Sequence, residues 1–234
     1  MKPYQILKFP ILLLASLLLF TSLKSQDKEE QESDKAQEKV EAAAKVLTDF
    51  KGMEENIPEQ LLKITEGIIV IPKLINAGFV LAGKRGKGIA VVKRGDGTWS
   101  NPVFITLTGG SVGFQAGVQS IDLVLVFKNR ETLEKIGKGS FTLGGDISVT
   151  AGPVGRNSSA STDYKLEAEV YSYSRSKGIF AGISLSGSAL DVDNKINTNF
   201  YGKEVDAKSI FADSSANSDA SVKVLKETLK DMTD

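Results

Sequence analysis

Apolar residues near the start of the chain recur at helical spacing. Between about residue 34 and Gly52 they fall every three or four positions among strong helix formers, which predicts an amphipathic helix. A second apolar run lies between Pro58 and Pro72, and we interpret it as a further helix that ends at the second proline. Near the end of the chain, residues 221–232 are also predicted to be helical.

The pattern changes after residue 79 to short β-branched runs separated by glycines. Residues 88–94 and 99–108 predict two strands, and the Gly-Asp-Gly-Thr turn at 95–98 joins them as a hairpin. A short helix is expected after Asn129, a residue type that favours helix N-caps. Further strands are predicted at residues 111–120, 121–128, 146–151, 166–174 and 179–186.

This order of elements favours an α+β fold. The strands are short and glycine-dense, whereas the helices cluster at the two ends of the chain. We therefore expect a largely antiparallel Gly-rich sheet or partly closed barrel with N-terminal helices and a C-terminal helix.

The first 25 residues are typical of a secretory signal peptide. Lys2 and Lys8 precede an apolar run at 11–20, which at about ten residues is too short to span a bilayer as a helix, and small polar residues follow it. The charged segment 26–34 is interpreted as a polar linker, and residues 35–234 as one domain. An uncleaved N-terminal anchor is the alternative.

Composition excludes several classes of function. The 234 residues contain no histidine and no cysteine, so histidine-based catalytic triads, cysteine nucleophiles and zinc sites with histidine or cysteine ligands are impossible. Carboxylate chemistry, Ser-Lys pairs and metal sites with oxygen ligands remain open. Loss of residues 1–25 would remove three lysines and no acid from the 29 basic and 29 acidic residues, leaving a net charge of −3. A nucleic-acid partner is not expected, and attraction to an anionic surface would require a local basic patch.

The most informative stretch, residues 170–187, reads VYSYSRSKGIFAGISLSG. It resembles the signature of the SYLF-domain family, except that Ser186 stands where the family usually has glutamate. Other parts of the chain match that family in order and spacing. They include Ile71-Pro72, Ala77-Gly78-Phe79, Gly97 with Trp99-Ser100, Asp122 with Leu123-Val124, Gly152-Pro153 and Phe200-Tyr201-Gly202.

The resemblance implies binding of anionic lipid headgroups through a basic surface, assisted by an amphipathic N-terminal helix. The cations that fit this role lie on the predicted hairpin: Lys84, Arg85, Lys87, Lys93 and Arg94. The helix predicted after Pro58 lacks a lysine-rich polar face, so we expect it to pack in the core and not in a membrane interface.

Other motifs give weaker signals. Asp191, Asp193 and Asn197 place oxygen ligands at alternate positions, but the central glycine and distal glutamate of a calcium-binding EF-hand are missing. Ser174 and Lys177 could form a nucleophilic pair, yet nothing marks an oxyanion site. We therefore expect no enzyme activity, no metal site and no cofactor.

The sequence thus predicts an exported, non-enzymatic protein, periplasmic or secreted, that associates peripherally with an anionic phospholipid membrane surface. The first alternative is a structural or protein-interaction domain of the cell envelope whose protein partner is unidentified. The second is a carboxylate-based enzyme or small-molecule carrier.

Overall fold

The computed structural model describes residues 31–53, 56–78, 81–112, 117–138, 141–153, 166–213 and 219–233. The predicted signal peptide, residues 1–25, lies outside these ranges. Among the helices within them, none combines the length and the apolar character needed to cross a bilayer.

Six α-helices and nine strands make up the described parts of the chain. The helices are α1 (31–51), α2 (Glu59–Lys63), α3 (Arg130–Glu134), α4 (Asn194–Tyr201), α5 (Ala207–Ala212) and α6 (Ala220–Thr233), and a 3-10 turn at Lys135–Lys138 extends α3. The strands are β1 (Gly67–Gly78), β2 (Leu81–Val92), β3 (Val103–Val112), β4 (Gly117–Phe127), β5 (Phe141–Leu143), β6 (Val149–Ala151), β7 (Val170–Ser176), β8 (Ile179–Phe180) and β9 (Ser188–Val192).

The strands form one mixed sheet that is curled into a nearly closed barrel. Their order is β5-β9-β3-β2-β1-β4-β7-β6, with β8 added beside β7. Among the described strands, only the pair β6 and β7 is parallel. The two outermost strands, β5 and β6, are joined by residues 144–148 alone, and Leu143 bridges to Ile147 within that connection. This short link holds the two ends of the sheet close together, as barrel closure requires.

The apolar runs 68–71 of β1 and 123–127 of β4 are buried on both faces of the sheet, since successive side chains point to opposite sides. On β1, Ile68 and Val70 belong to an apolar layer shared with helices α1, α2 and α6, and we call this side of the sheet the outer face. Ile69 and Ile71 belong instead to the apolar interior of the barrel. Two-sided burial explains why β1 and β4 read as continuous apolar runs instead of alternating ones.

Short elements close the two ends of the barrel. Leu133 and Ile136, from α3 and the 3-10 turn, and Ile210 of α5 join the interior layer. The coil after β8, residues 181–187, contributes Leu185 to the same layer. Lys84 donates a hydrogen bond to the carbonyl of Ser184 and so fastens this coil to β2.

A bulge in β1 changes which side chains face outward. Ile71 pairs with Leu123 and Leu74 pairs with Ile121, so two residues of β1 lie opposite Asp122 alone. Lys73 takes a positive φ of 53°, and its backbone N–H donates to Asp122 Oδ1 at 3.0 Å. The extra residue reverses the alternation, so that Leu74 enters the interior while Ile75 returns to the outer face.

The α+β prediction, with its partly closed barrel and terminal helices, is confirmed. Asn129 caps α3 by accepting from the backbone N–H of Glu131, also as predicted. The predicted helix at 58–71 is wrong, because α2 ends at Lys63 and strand β1 starts at Gly67. The run Ile68-Ile69-Val70-Ile71 is buried on both faces, a pattern that periodicity alone does not separate from a buried helix.

The linker predicted at 26–34 needs a similar correction. Residues 31–34 already belong to α1, and Glu32 accepts hydrogen bonds from Lys195 and Asn199 of α4. These contacts to a distant part of the chain order a segment whose charge density alone suggested a solvated linker.

Gly88 provides a test of the bulge. A Cβ built at this residue would overlap the carbonyl oxygen of Val70 and lie 2.9 Å from the Cα of Ile71. We expect Gly88→Ala to lower the free energy of unfolding by about 1–3 kcal/mol, measured by urea denaturation with the buried Trp99 as probe. Gly95→Ala is the control, because no atom lies within 4 Å of a Cβ there, and it should shift stability by less than about 0.5 kcal/mol. Equal midpoints for the two variants would contradict this role for Gly88.

Candidate functional site

Helices α1 and α6 lie side by side on the outer face and run in the same direction. Gln37, early in α1, donates to Asp219 at the start of α6 at 2.6 Å. Lys51, at the end of α1, pairs with Asp231 near the end of α6. Both helices bury their apolar sides in the layer that covers β1, β2 and β4.

Arg175 joins α1 to the sheet. Its guanidinium donates to Asp122 Oδ2 on β4 at 2.9 Å and to Asp49 Oδ2 on α1 at 2.6 Å, and it lies 5.4 Å from the ring centre of Phe50. Burial alone would raise the pKa of Asp49, but the hydrogen bonds from Arg175 and Lys45 outweigh it and lower the pKa. Because Asp122 also accepts from Lys73, this cluster links α1, the signature strand β7 and the bulge of β1.

Beyond α1, the outer face of the sheet continues without a described helix above it. Ile75 pairs with Arg85 on one side and with Ser120 on the other, and Val118 follows two positions before Ser120 on the same face. We call these four residues the outer strip. Ile75 is 42% exposed and Val118 is 74% exposed, which is unusual for apolar side chains within paired strands.

Lys84 does not lie on this surface, although it precedes Arg85 directly. The alternation of β2 turns its side chain toward the barrel interior, where Lys84 is 4% exposed. Burial lowers the pKa of the amine. Its hydrogen bond to Ser184 gives Lys84 a role in holding the coil that closes the barrel.

Lys87 lies on the same face as Arg85 but is paired. Its ammonium group lies 2.7 Å from Asp193 Oδ2, at the start of α4. Burial would raise the pKa of Asp193, but the hydrogen bonds from Lys87 and from the backbone N–H of Ile196 lower it. On α1, burial and then the positive charge of Lys87 lower the pKa of Lys39. Arg85 makes no ion pair with any carboxylate of the described residues.

Lys93 and Arg94 lie at the opposite end of β2. Six residues of extended strand place Lys93 about 20 Å from Lys87, and α1 and α6 cover the sheet between them. Arg94 donates to Thr98 and to the carbonyl of Asp213. The five predicted cations therefore do not form one cluster: Arg85 and Lys87 share a surface, and the others lie elsewhere.

The signature stretch forms β7, β8 and the coil that closes the barrel. Gly178 and Gly187 take φ values of 82° and 74°, which fit the turns on either side of the coil and favour glycine. Ser186, where the family pattern has glutamate, is exposed in the second turn. Ser174 donates its hydroxyl to the carbonyl of Ala181 and so holds the coil against β7.

Sequence reasoning missed the apolar part of the outer strip. Because residues 58–71 were predicted to be helical, β1 was not recognised. The face on which Ile75 lies depends on the bulge between Ile71 and Leu74, which the sequence does not indicate. The pairing of Lys87 with Asp193 joins residues far apart in the chain, and no local pattern indicates it. The sequence did offer one signal for a basic surface on α1. Lys39 lies on this helix, whose apolar face was predicted correctly.

These features define the class of the protein: an α+β barrel domain whose outer face carries two parallel helices and, beside them, a strip of basic and apolar residues. The chain belongs to the Ysc84 family, described as Las17-binding protein actin regulator, which it matches over residues 108–232. The resemblance to SYLF domains is thereby confirmed.

Relatives of this chain occur in fungi and animals. It is 36% identical over 179 residues to LAS seventeen-binding protein 3 of Saccharomyces cerevisiae, a match that covers 73% of this chain and 39% of the relative. It is 35% identical over 175 residues to the SH3 domain-containing YSC84-like protein 1 of Homo sapiens, covering 72% and 51% of the two chains. The chain thus spans between about two fifths and half of the length of these relatives.

The pair of Lys87 and Asp193 predicts a dependence of stability on pH. The pKa of Asp193 is lowered from 3.8 in the folded state, so its contribution is present above that pH and is lost as the pH falls through the folded pKa. Asp193→Asn keeps a side-chain oxygen that can cap α4 but removes the ion pair. We expect urea denaturation to find the variant less stable than wild type by up to about 1 kcal/mol at pH 7, with the difference shrinking as the pH falls below 3.8 through the folded pKa of Asp193.

The control is Asp191→Asn, which removes the same charge from a residue that makes no ion pair with the described residues. A difference between wild type and Asp193→Asn that is independent of pH would show that the ion pair does not stabilise the fold.

Proposed function

We propose that this domain is a non-enzymatic protein that docks peripherally on anionic phospholipid membranes through the end of the sheet that carries Arg85 and Lys87. The observation that supports it is the exposed Arg85, which lies without a carboxylate partner among the described residues beside the exposed Ile75. Lys87 and Lys39 add positive charge nearby, although Asp193 compensates part of it.

The magnitude of the electrostatic attraction limits the mode of binding. A cation close to an anionic membrane contributes about 1 kcal/mol. Arg85 makes no ion pair with the described residues and Lys87 is partly compensated, so the attraction changes affinity by about one order of magnitude. Binding should therefore be reversible and sensitive to salt, as expected of a peripheral protein.

A protein partner is the second candidate. The family is described as Las17-binding, and relatives carry that name. The match covers only 39% of LAS seventeen-binding protein 3, so its partner need not bind the shared domain. A pull-down of this domain with purified Las17, compared with vesicle binding on the same preparation, distinguishes the two candidates.

We further propose that the protein acts outside the cytoplasm, as a periplasmic or secreted protein. The support is the order of charged, apolar and small polar residues within the first 25 residues. The intact mass of protein isolated from its native cells should lack about 25 N-terminal residues. A full-length mass would contradict cleavage and favour an N-terminal anchor.

Arg85 and Lys84, neighbouring cations on opposite faces of β2, provide the main test of membrane docking. Arg85→Gln should weaken binding to vesicles of phosphatidylglycerol and phosphatidylcholine about fivefold, which corresponds to about 1 kcal/mol. Lys84→Gln should leave binding unchanged, because that side chain faces the barrel interior. Sedimentation of the protein with vesicles over a range of lipid concentrations measures both affinities.

Salt and lipid charge supply the controls. Raising the salt from 0.1 to 1 M shortens the Debye length from about 10 Å to about 3 Å, so binding to anionic vesicles should fall. Pure phosphatidylcholine vesicles should bind little at either salt concentration. Equal losses for Lys84→Gln and Arg85→Gln, with unchanged Trp99 fluorescence in both, would contradict docking through this face.

A further inference from the structure

The two exposed apolar residues of the outer strip lie next to each other. Ile75 is directly opposite Ser120, so Val118 occupies the diagonal position on the same face, within reach of Ile75. Two small residues continue the outer face across the strands. Ala77 pairs with Val118, and Gly83 pairs with Ala77. Among the residues that the structure describes, the cross-strand neighbours on this side of Val118 are therefore small.

The charges around this pair suit an anionic surface. Across the strands, the outer-face neighbours of Ile75 and Val118 are Arg85, Ser120 and two small residues, and none of them is acidic. The nearest outer-face acid on β4 is Asp122, and its carboxylate already accepts from Arg175. A bilayer of anionic phospholipids thus meets a cation beside apolar side chains.

The backbone limits how deep this surface can enter a membrane. β4 pairs with β7 only from Asp122 to Phe127, so at Val118 and Gln119 the edge of β4 that faces β7 has no described strand beside it. Unpaired backbone N–H and C=O groups are costly in hydrocarbon but are readily hydrated at the headgroup level. Any insertion at Val118 must therefore be shallow.

We propose that Ile75 and Val118 insert into the boundary between headgroups and acyl chains of an anionic bilayer, with Arg85 at the level of the lipid phosphates. This inference rests on the proposed membrane docking and adds an apolar contact to it. Arg85 provides attraction and orientation, whereas the two apolar side chains provide a contact that salt does not screen.

Substitution of Val118 tests the proposal. Val118→Asp should weaken binding to phosphatidylglycerol-containing vesicles at least about tenfold, because it removes an apolar contact and adds a like charge. Val118→Thr, which keeps the shape and removes only apolar character, should weaken binding by a smaller factor. Val224→Asp is the matched control, since Val224 is 52% exposed on α6, outside the strip, and should bind nearly as wild type does.

The outcomes separate this inference from the proposed function. If Val118→Asp binds as tightly as Val224→Asp while Arg85→Gln still weakens binding, insertion is wrong and electrostatic docking stands. If the wild-type protein does not bind anionic vesicles, the proposed function itself is wrong. The buried Trp99 verifies folding, because its emission should be the same in every variant.

Depth is measured with a fluorescent side chain. Val118→Trp adds a second tryptophan, and its emission should shift to shorter wavelength on vesicles. Lipids brominated near the headgroup end of the acyl chain should quench it more strongly than lipids brominated near the terminal methyl group. Val224→Trp should show neither effect. Stronger quenching by the deep bromine label, or none by either label, would overturn shallow insertion.

Discussion

The structure depends on the burial of both faces of its long strands. β1 carries apolar side chains at every position from 68 to 71, and β4 does so from 123 to 127, so each run needs an apolar partner on two sides. Curling of the sheet encloses one face, and helices α1 and α6 cover the other. Neither layer alone satisfies the strands, which explains why a glycine-rich sheet of this size retains helices from both ends of the chain.

The cluster around Arg175 coordinates these layers. Asp122 accepts from the guanidinium and also from the backbone of the bulge in β1, while Asp49 holds the same guanidinium from α1. A single half-buried cation, Arg175, therefore sets the position of a helix and the register of a strand together. The outer strip lies directly beyond this cluster, so the presentation of Ile75 and Arg85 depends on it.

Local patterns were sufficient for part of this architecture. The helical spacing in α1, the cap at Asn129 and the turn at 95–98 are each determined by neighbouring residues, and they were predicted correctly. β1 was not, because the run Ile68-Ile69-Val70-Ile71 has no periodicity to distinguish a buried strand from a helix. The separation of Lys84 from Arg85 follows from strand alternation, whereas the distance of both from Arg94 depends on the length of β2 and on the helices above it.

The parallel arrangement of α1 and α6 affects how the chain reaches its final structure. α6 supplies Leu225 and Leu229 to the outer layer, yet it is made more than 100 residues after the strands it covers begin, at Gly67. During synthesis, the outer faces of β1, β2 and β4 therefore stay partly uncovered until α6 has left the ribosome. Until then, the nascent chain exposes apolar sheet surface to which chaperones can bind.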